Sequence, residues 1–479
     1  MHLEFDGSGP LHGQLTRALK DAICTRRLVP GARLPATREL ARDLRLSRNT
    51  VLAAYEQLGA EGFIEGKIGS GSYVAEIATR SPVAPPARAR RPGLAPFAKS
   101  ALEQRANLPP GHRRKPVRYN LEYGLPLVTP ALQSLWRRAL GRAADDTVLD
   151  YPPAEGLPAL REAIAGYLAR RRGLVADPED IVIVAGVQQG IDLCARALLE
   201  SGDTAAIEEP HYQGTRQTLL AHGARLVPVA LDREGLDVDA LPKGGAKLVA
   251  VTPSHQFPTG AVMSLARRMA LLDWASRHDA WIVEDDYDGE FRYDVRPIAA
   301  LKSLDRGERV IYVGSFSKVM FPALRLGYLV VPPSLRDALR ATKWLCDRGC
   351  PAIEQHALAL LIGDGRFERM LRRTGRSLTE RRQALLRGIG RHCGDLVEVE
   401  GTSAGMHVTA WLTRHAKTSV EEVIAAGERR DLGLYPISPY YYTRPPRAGL
   451  LLGYSAITPR DIGEATRRLG ETLRATLKG

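Results

Sequence analysis

Between residues 181 and 331, short apolar runs at 181–184, 226–229, 247–251, 281–284, 309–313 and 327–331 recur between helical stretches such as 187–199 and 264–278. A chain that alternates in this way predicts a mostly parallel sheet covered by helices on both faces, with ligand groups at the strand ends. The rest of the chain must be fitted around that sheet. Its 479 residues, 44% of them apolar and 25% charged, describe a multidomain globular protein able to bury a large core. No apolar run approaches the roughly eighteen residues that a membrane helix needs, and no signal-peptide core opens the sequence, so a cytoplasmic protein without a membrane partner is expected. Five scattered cysteines suit a reducing compartment. Without Cys-x-x-Cys or clustered histidines, no metal site is expected.

The chemistry concentrates at the ends of these runs. Tyr312-Val313-Gly314-Ser315-Phe316-Ser317-Lys318 reads as an apolar strand followed by a small-residue turn that presents two hydroxyls and a lysine, with Arg325 just beyond. That set suits a phosphorylated aldehyde: the amine condenses with the aldehyde, while hydroxyls and guanidinium hold the phosphate. Ser-x-Ser-Lys alone is common, so its companions carry the weight. Trp281-Ile282-Val283-Glu284-Asp285-Asp286-Tyr287-Asp288 ends an apolar strand in a carboxylate with a phenol two residues on. Asp285 suits the protonated ring nitrogen of pyridoxal phosphate; the bland alternative is a solvated acidic loop. Ala185-Gly186-Val187-Gln188-Gln189-Gly190 is a glycine-bearing turn into a helix, able to offer free backbone N–H groups to a phosphate or to be an ordinary connection.

Together with the turn Thr252-Pro253-Ser254-His255-Gln256-Phe257-Pro258-Thr259-Gly260, these segments resemble fold-type I pyridoxal-phosphate enzymes of the aminotransferase class over residues 119 to 479. The resemblance implies an α/β transferase-like body with a small α+β subdomain from about residue 390. It implies that Lys318 is the Schiff-base lysine, Asp285 the ring-nitrogen partner and Tyr287 the donor to the ring hydroxyl. Ser315, Ser317, Arg325 and the Val187–Gln188 backbone would hold phosphate, Tyr212 would stack on the ring, and Tyr151 would reach the phosphate of a second subunit.

Residues 1–78 form a separate block. Pro10 opens a helix with apolar Leu11, Leu15, Ala18, Leu19, Ala22 and Ile23 at helical spacing. Thr37 is expected to cap a short helix through Leu44, and Ser47 another through about Ala60. In the latter Val51, Ala54, Tyr55 and Leu58 make the buried stripe and leave Arg48, Asn49, Thr50 and Gln57 outward. A hairpin with the tip Lys67-Ile68-Gly69-Ser70-Gly71 follows. This is a winged helix-turn-helix pattern, whose second helix normally meets base edges of double-stranded DNA. Pro30-Gly31-Ala32-Arg33-Leu34-Pro35-Ala36-Thr37-Arg38-Glu39-Leu40-Ala41 and Leu46-Ser47-Arg48-Asn49-Thr50-Val51 resemble the winged helix of GntR-type regulators. By that likeness Arg38, Arg48, Asn49, Thr50 and Lys67 face DNA.

Residues 79–118 read as a semi-extended, Pro- and Arg-rich linker. From 81 to 118 there are nine Lys/Arg against the single acid Glu103, so most of the chain's net charge of +13 sits there. It serves either as a soluble tether or as an arm tracking DNA phosphates. Winged helix, linker and aminotransferase-like body together resemble the MocR-type subfamily of GntR regulators. By that resemblance, working aminotransferases usually place Asn where this chain has Phe257, and a carboxylate-gripping arginine where the best alignment puts Leu451, with Arg444 and Arg447 of the neighbouring Pro-rich loop as the alternatives. An unpaired carboxylate there is costly to desolvate, so amino acids should bind weakly. The resemblance implies a transcription regulator with pyridoxal phosphate as a bound sensor, responding to an amine or amino acid or to the cofactor's own occupancy, the missing arginine favouring occupancy. It implies a domain-swapped, head-to-tail homodimer on paired operator half-sites. The alternative is a pyridoxal-phosphate aminotransferase with an accessory domain.

Overall fold

Ser47 fixes where the reading helix begins, because its Oγ accepts the Thr50 backbone N–H at 3.0 Å and so satisfies an otherwise orphaned donor. The computed structural model describes residues 3–67, 70–76, 93–106, 117–147, 150–293, 298–413 and 419–477. It falls into two compact units that divide between Gly93 and Leu94.

The first unit contains α1 (Leu11–Cys24), α2 (Thr37–Asp43), α3 (Arg48–Ala60), β1 (Ile64–Lys67) and β2 (Gly71–Val74). β1 and β2 form the antiparallel wing, with Lys67 opposite Gly71. Leu15, Leu19, Ile23, Val51 and Leu58 are sealed in its core. The expected stripe is one residue too long, since Leu11 is 52% exposed. Thr37 caps nothing: it is already the first helical residue of α2, and the cap position falls on Ala36, which has no side chain able to accept a hydrogen bond. Ile68 and Gly69 of the wing tip lie outside the described residues, as do 77–92 and 107–116 of the basic stretch.

The second unit opens with α4 (Pro96–Ala106), β3 (Tyr119–Asn120), α5 (Pro130–Asp146) and α6 (Pro158–Arg172). Alternation follows: β4 (Ile181–Val184), α7 (Val187–Leu198), β5 (Thr204–Glu209), α8 (Gln213–Ala221), β6 (Arg225–Asp232), β7 (Gly235–Leu236), β8 (Leu248–Val251), α9 (Leu265–Arg277), β9 (Trp281–Asp286), β10 (Val310–Ser315) and β11 (Gly327–Val330). The sheet order is β4-β11-β10-β9-β8-β5-β6-β7. β11 runs antiparallel to both its neighbours, and β7 antiparallel to β6; the other pairings are parallel. Val182, Val184, Ile311, Val313 and Leu329 join one core beneath the sheet, while Ile181, Ile183, Tyr312 and Val330 join another above it. That alternation is what a sheet covered on both faces requires. The register brings Val313 opposite Asp285 and Val184 opposite Gly327, so the carboxyl ends of β4, β9 and β10 open on one side.

Beyond these come α10 (Arg336–Asp347), α11 (Ala352–Gly363) and α12 (Arg366–His392), then β12 (Val397–Glu400), β13 (His407–Leu412), α13 (Val420–Glu428), β14 (Leu432–Gly433), β15 (Tyr435–Pro436), β16 (Gly449–Gly453) and α14 (Pro459–Thr476). β12, β13, β16 and β15 make a second, antiparallel sheet. β14 pairs with β3, which ties the start of the unit to its far end.

Part of the expected linker is helical. Pro96 sits at the start of α4, where its missing N–H costs nothing, and the helix lies along α8. Ser100 Oγ donates to the Leu220 carbonyl at 3.2 Å, Gln217 Nε2 donates to the Gln104 carbonyl at 3.3 Å, and the Phe97 ring packs edge-on against His222. Among the described residues, no helix is long and apolar enough to cross a membrane.

Candidate functional site

The strand ends open into a cavity of about 360 Å³ within the second unit. Nine residues singled out from the sequence line it: Lys318, Asp285, Tyr287, Tyr212, Val187, Gln188, Ser315, Ser317 and Arg325. Tyr151 does not. It is 84% exposed, away from the cavity of its own chain.

Asp285 is the last residue but one of β9 and is buried, which rules out the solvated acidic loop. Its Oδ1 has no hydrogen-bond partner in the chain. Burial, with the Asp286 and Asp288 charges adding to it, pushes its carboxyl up to about 8. A carboxyl in that state lacks a cation, and a protonated pyridine nitrogen supplies one. The sign of the effect on stability follows. Between its ordinary value of 3.8 and about 8, the folded chain binds this proton more tightly than the unfolded chain does. Asp285 therefore contributes a loss of stability as pH rises through that window. In the cofactor-free protein, Asp285→Asn is expected to flatten the fall of the urea midpoint between roughly pH 5 and 8; an unchanged slope would exclude the assignment.

Lys318 Nζ donates to the Gly124 carbonyl at 2.6 Å. Burial lowers the lysine's affinity for its proton, against the pull of Asp288 and Asp285. A lysine less firmly protonated is a better nucleophile toward a carbonyl. Tyr287 meets a residue that the sequence left without a role. His255 Nδ1 lies 2.9 Å from the Tyr287 hydroxyl and 2.9 and 3.1 Å from the two Asp288 oxygens. A carboxylate so placed accepts the Nδ1 proton, so Tyr287 is at most an acceptor from that nitrogen and keeps its own O–H to donate.

At the other end, β4 runs through Ala185 and Gly186 into α7. Gly186 has φ +85, and a Cβ there would stand 3.0–3.2 Å from the Arg325 guanidinium. Only glycine meets both conditions. Arg325 Nη2 donates to the Ala185 carbonyl at 2.5 Å, which holds the guanidinium beside the amino end of α7. Gln188 is fixed by its side-chain amide, which donates to Thr218 Oγ1 and to the Gly214 carbonyl. Ser315 Oγ accepts the Ser317 backbone N–H at 3.1 Å and tightens the turn that presents both hydroxyls.

Besides Gly124, Asp288 and Pro322, the cavity's remaining wall comes from segments far apart in sequence: Glu122, Tyr123, Phe257, Met406, His407, Tyr435 and Tyr440. The Phe257 ring lies 5.8 Å from that of Tyr287 and 4.9 Å from that of Tyr440. Leu451 is fully buried against the Phe257–Trp411–Tyr440 cluster. In the first unit, Arg38, Arg48, Asn49 and Lys67 are exposed and Thr50 is half-buried, while Val51, Ala54, Tyr55 and Leu58 point into the core. Lys67 lies over the Tyr73 ring at 5.0 Å.

Residues 11–74 match the profile of bacterial regulatory proteins of the gntR family, and residues 122–424 that of aminotransferase class I and II. The chain is 37% identical over 475 residues to the probable rhizopine catabolism regulatory protein MocR of Rhizobium meliloti, a match covering 98% of this chain and 94% of that one. It is 30% identical over 445 residues to the HTH-type pyridoxine biosynthesis transcriptional regulator PdxR of Corynebacterium glutamicum, covering 92% and 91%. The solved structure of LysN, the alpha-aminoadipate aminotransferase of Thermus thermophilus, complexed with N-(5'-phosphopyridoxyl)-L-leucine, matches with a TM-score of 0.69 and 27% identity. That match covers 80% of this chain and 98% of that one. A winged helix carried with an aminotransferase-like body defines a class of bacterial transcription regulators. This chain belongs to it, as a MocR-type member of the GntR family.

Proposed function

We propose that the protein is a transcription regulator that binds operator DNA through its first unit and holds pyridoxal phosphate as a sensor in the cavity of its second. The observation that supports this most is the buried, unpartnered Oδ1 of Asp285 in the same cavity as Lys318. When bound, pyridoxal phosphate would supply an aldehyde able to link to amines and a ring that withdraws electrons. The chain's own groups have distinct tasks. Lys318 provides the tethering amine, Asp285 keeps the ring nitrogen protonated, and Tyr287 donates to the ring hydroxyl. Tyr212 covers the ring. Ser315, Ser317, Arg325 and the N–H groups of Val187 and Gln188 hold the phosphate.

Arg38, Arg48, Asn49 and Thr50 meet the duplex and Lys67 lies in the wing, with a homodimer placing two reading heads on paired half-sites. Tyr151, exposed on its own chain, reaches the phosphate of the partner in that dimer. An effector shifts DNA binding only through unequal affinity for two arrangements of the protein. Arg48→Ala is expected to weaken operator binding by about 1–3 kcal/mol and relax its sequence preference, as loss of a guanine contact does; an unchanged preference in a binding-site selection would sink the assignment. The test of the whole is an operator gel shift with and without added pyridoxal phosphate. An identical DNA affinity in both would leave the sensor role without support. Aminotransfer remains the second reading, favoured by the LysN likeness; turnover of an amino acid at an ordinary catalytic rate would establish it.

A further inference from the structure

Once the cofactor's contacts are assigned, the cavity still holds a carboxylate, that of Glu122, with no cationic partner among the described residues. The chain lines it with two basic side chains of the Lys/Arg type, Lys318 and Arg325, and both are engaged at the cofactor. His407, the remaining basic ring, has its pKa lowered to about 4 by burial, with His255 adding to the effect; it is neutral at physiological pH. Nothing else in this lining offers a positive charge to a ligand carboxylate: Leu451 is buried in an apolar cluster, and Arg444 and Arg447 line other clefts.

The acidic side is different. Asp285 is assigned to the ring nitrogen, and Asp288 is engaged by His255 at 2.9 Å. Glu122 has polar partners but no cation. Asn120 Nδ2 donates to its Oε2 at 3.1 Å and the Tyr435 hydroxyl bonds to its carboxylate, while among the described residues no Lys or Arg forms an ion pair with it. Its chain neighbours put it close to the reactive amine: Gly124, two residues on, offers the carbonyl that Lys318 Nζ bonds. Between them, Tyr123 anchors a wall of rings. It lies 5.7 Å from Tyr435, 5.9 Å from Tyr440 and 6.2 Å from Phe257, and its hydroxyl is hydrogen-bonded to that of Tyr440. A carboxylate beside several aromatic faces is a receptor for an ammonium group.

We propose that the effector is a carboxylate-free diamine, one amine engaging the cofactor at Lys318 and the second, protonated, held by Glu122 and the rings of Tyr123, Tyr435 and Tyr440. This rests on the cofactor reading above and narrows its effector to one chemical class. An amino acid would instead bring a negative charge toward Glu122 with no cation to receive it.

The test uses the full chain loaded with pyridoxal phosphate and three ligands that share a four-carbon chain: 1,4-diaminobutane, butylamine and 4-aminobutanoate. Binding is followed by calorimetry and by change in the cofactor's visible band. The diamine is expected to bind at least about ten-fold more tightly than either of the others, a margin typical of one added ion pair with partial burial. Glu122→Gln is expected to erase the diamine's advantage over butylamine while leaving butylamine affinity and the resting visible band in place. The proposal is overturned if 4-aminobutanoate equals or exceeds the diamine, if no amine binds, or if Glu122→Gln keeps the diamine's advantage. A chain that never acquires a visible band fails at the earlier step, and the cofactor reading falls with it; a coloured chain with the wrong ligand ranking overturns this inference alone.

Discussion

Lys318→Ala is expected to leave the protein colourless in the visible once it has been loaded with pyridoxal phosphate and dialysed into cofactor-free buffer, where the parent chain is expected to keep an absorbing, covalently held cofactor. Removing the amine deletes the tether, but Asp285, Arg325, Ser315 and Ser317 remain. Free pyridoxal phosphate should still bind, reversibly and with affinity lowered by about two orders of magnitude or more, since a covalent link holds its ligand at very high effective concentration. Borohydride reduction followed by peptide mass mapping provides the check. It should place a phosphopyridoxyl adduct on Lys318 in the parent and none in the variant. An adduct on another lysine would overturn the assignment. Because Lys318, among the described residues, donates only to the Gly124 carbonyl, the variant should fold, and its operator affinity without cofactor should match that of the parent.

The second large effect concerns stability. Arg172, the last residue of α6, is fully buried and pairs with the buried Asp286 at 2.6 Å. Its guanidinium also donates to the Gly289 carbonyl and to Ser254 Oγ, and Tyr312 donates to Asp286 at 2.6 Å. This network backs the strand end that carries Asp285. Arg172→Leu strands the Asp286 carboxylate in a medium that cannot solvate it, a loss of about 3–5 kcal/mol. Asp286→Asn in the same background should recover part of that, because an amide needs no counter-charge. Chemical unfolding of the single and double variants tests this through the coupling between the two sites. A drop below about 1 kcal/mol for Arg172→Leu, the range of an exposed pair, would mean that water reaches the pair.

What was legible in the sequence was the part encoded within a few residues. Lys318 with its two serines, Asp285 with Tyr287, and the Gly186 turn each form a short motif at a strand end, and the cavity gathers all of them. The aromatic and acidic wall was not legible, because Glu122, His407 and Tyr440 come from three distant segments that only the folded chain joins. β5 was missed for a local reason. Thr204-Ala205-Ala206-Ile207-Glu208-Glu209 has small residues where β-branched ones signal a strand, and its place is set by burial between β6 and β8. Glu208 looks like a surface acid, yet it is buried, accepting from the Thr252 hydroxyl at 2.6 Å and from Gln256, and so shapes the turn that ends in Phe257. Composition misled at 96–106, where proline and arginine suggested an extended tether and a helix formed instead.

That helix has a mechanical consequence. α8 carries Tyr212 at its amino end, facing the cavity, and holds α4 through Gln217 and Leu220 near its carboxyl end. Nine residues of hydrogen-bonded helix span roughly 13 Å, with no hinge after Gly214. The ring that covers the cavity and the helix α4 are therefore joined through one continuous rigid element, with the cavity at its amino end and α4 at its carboxyl end.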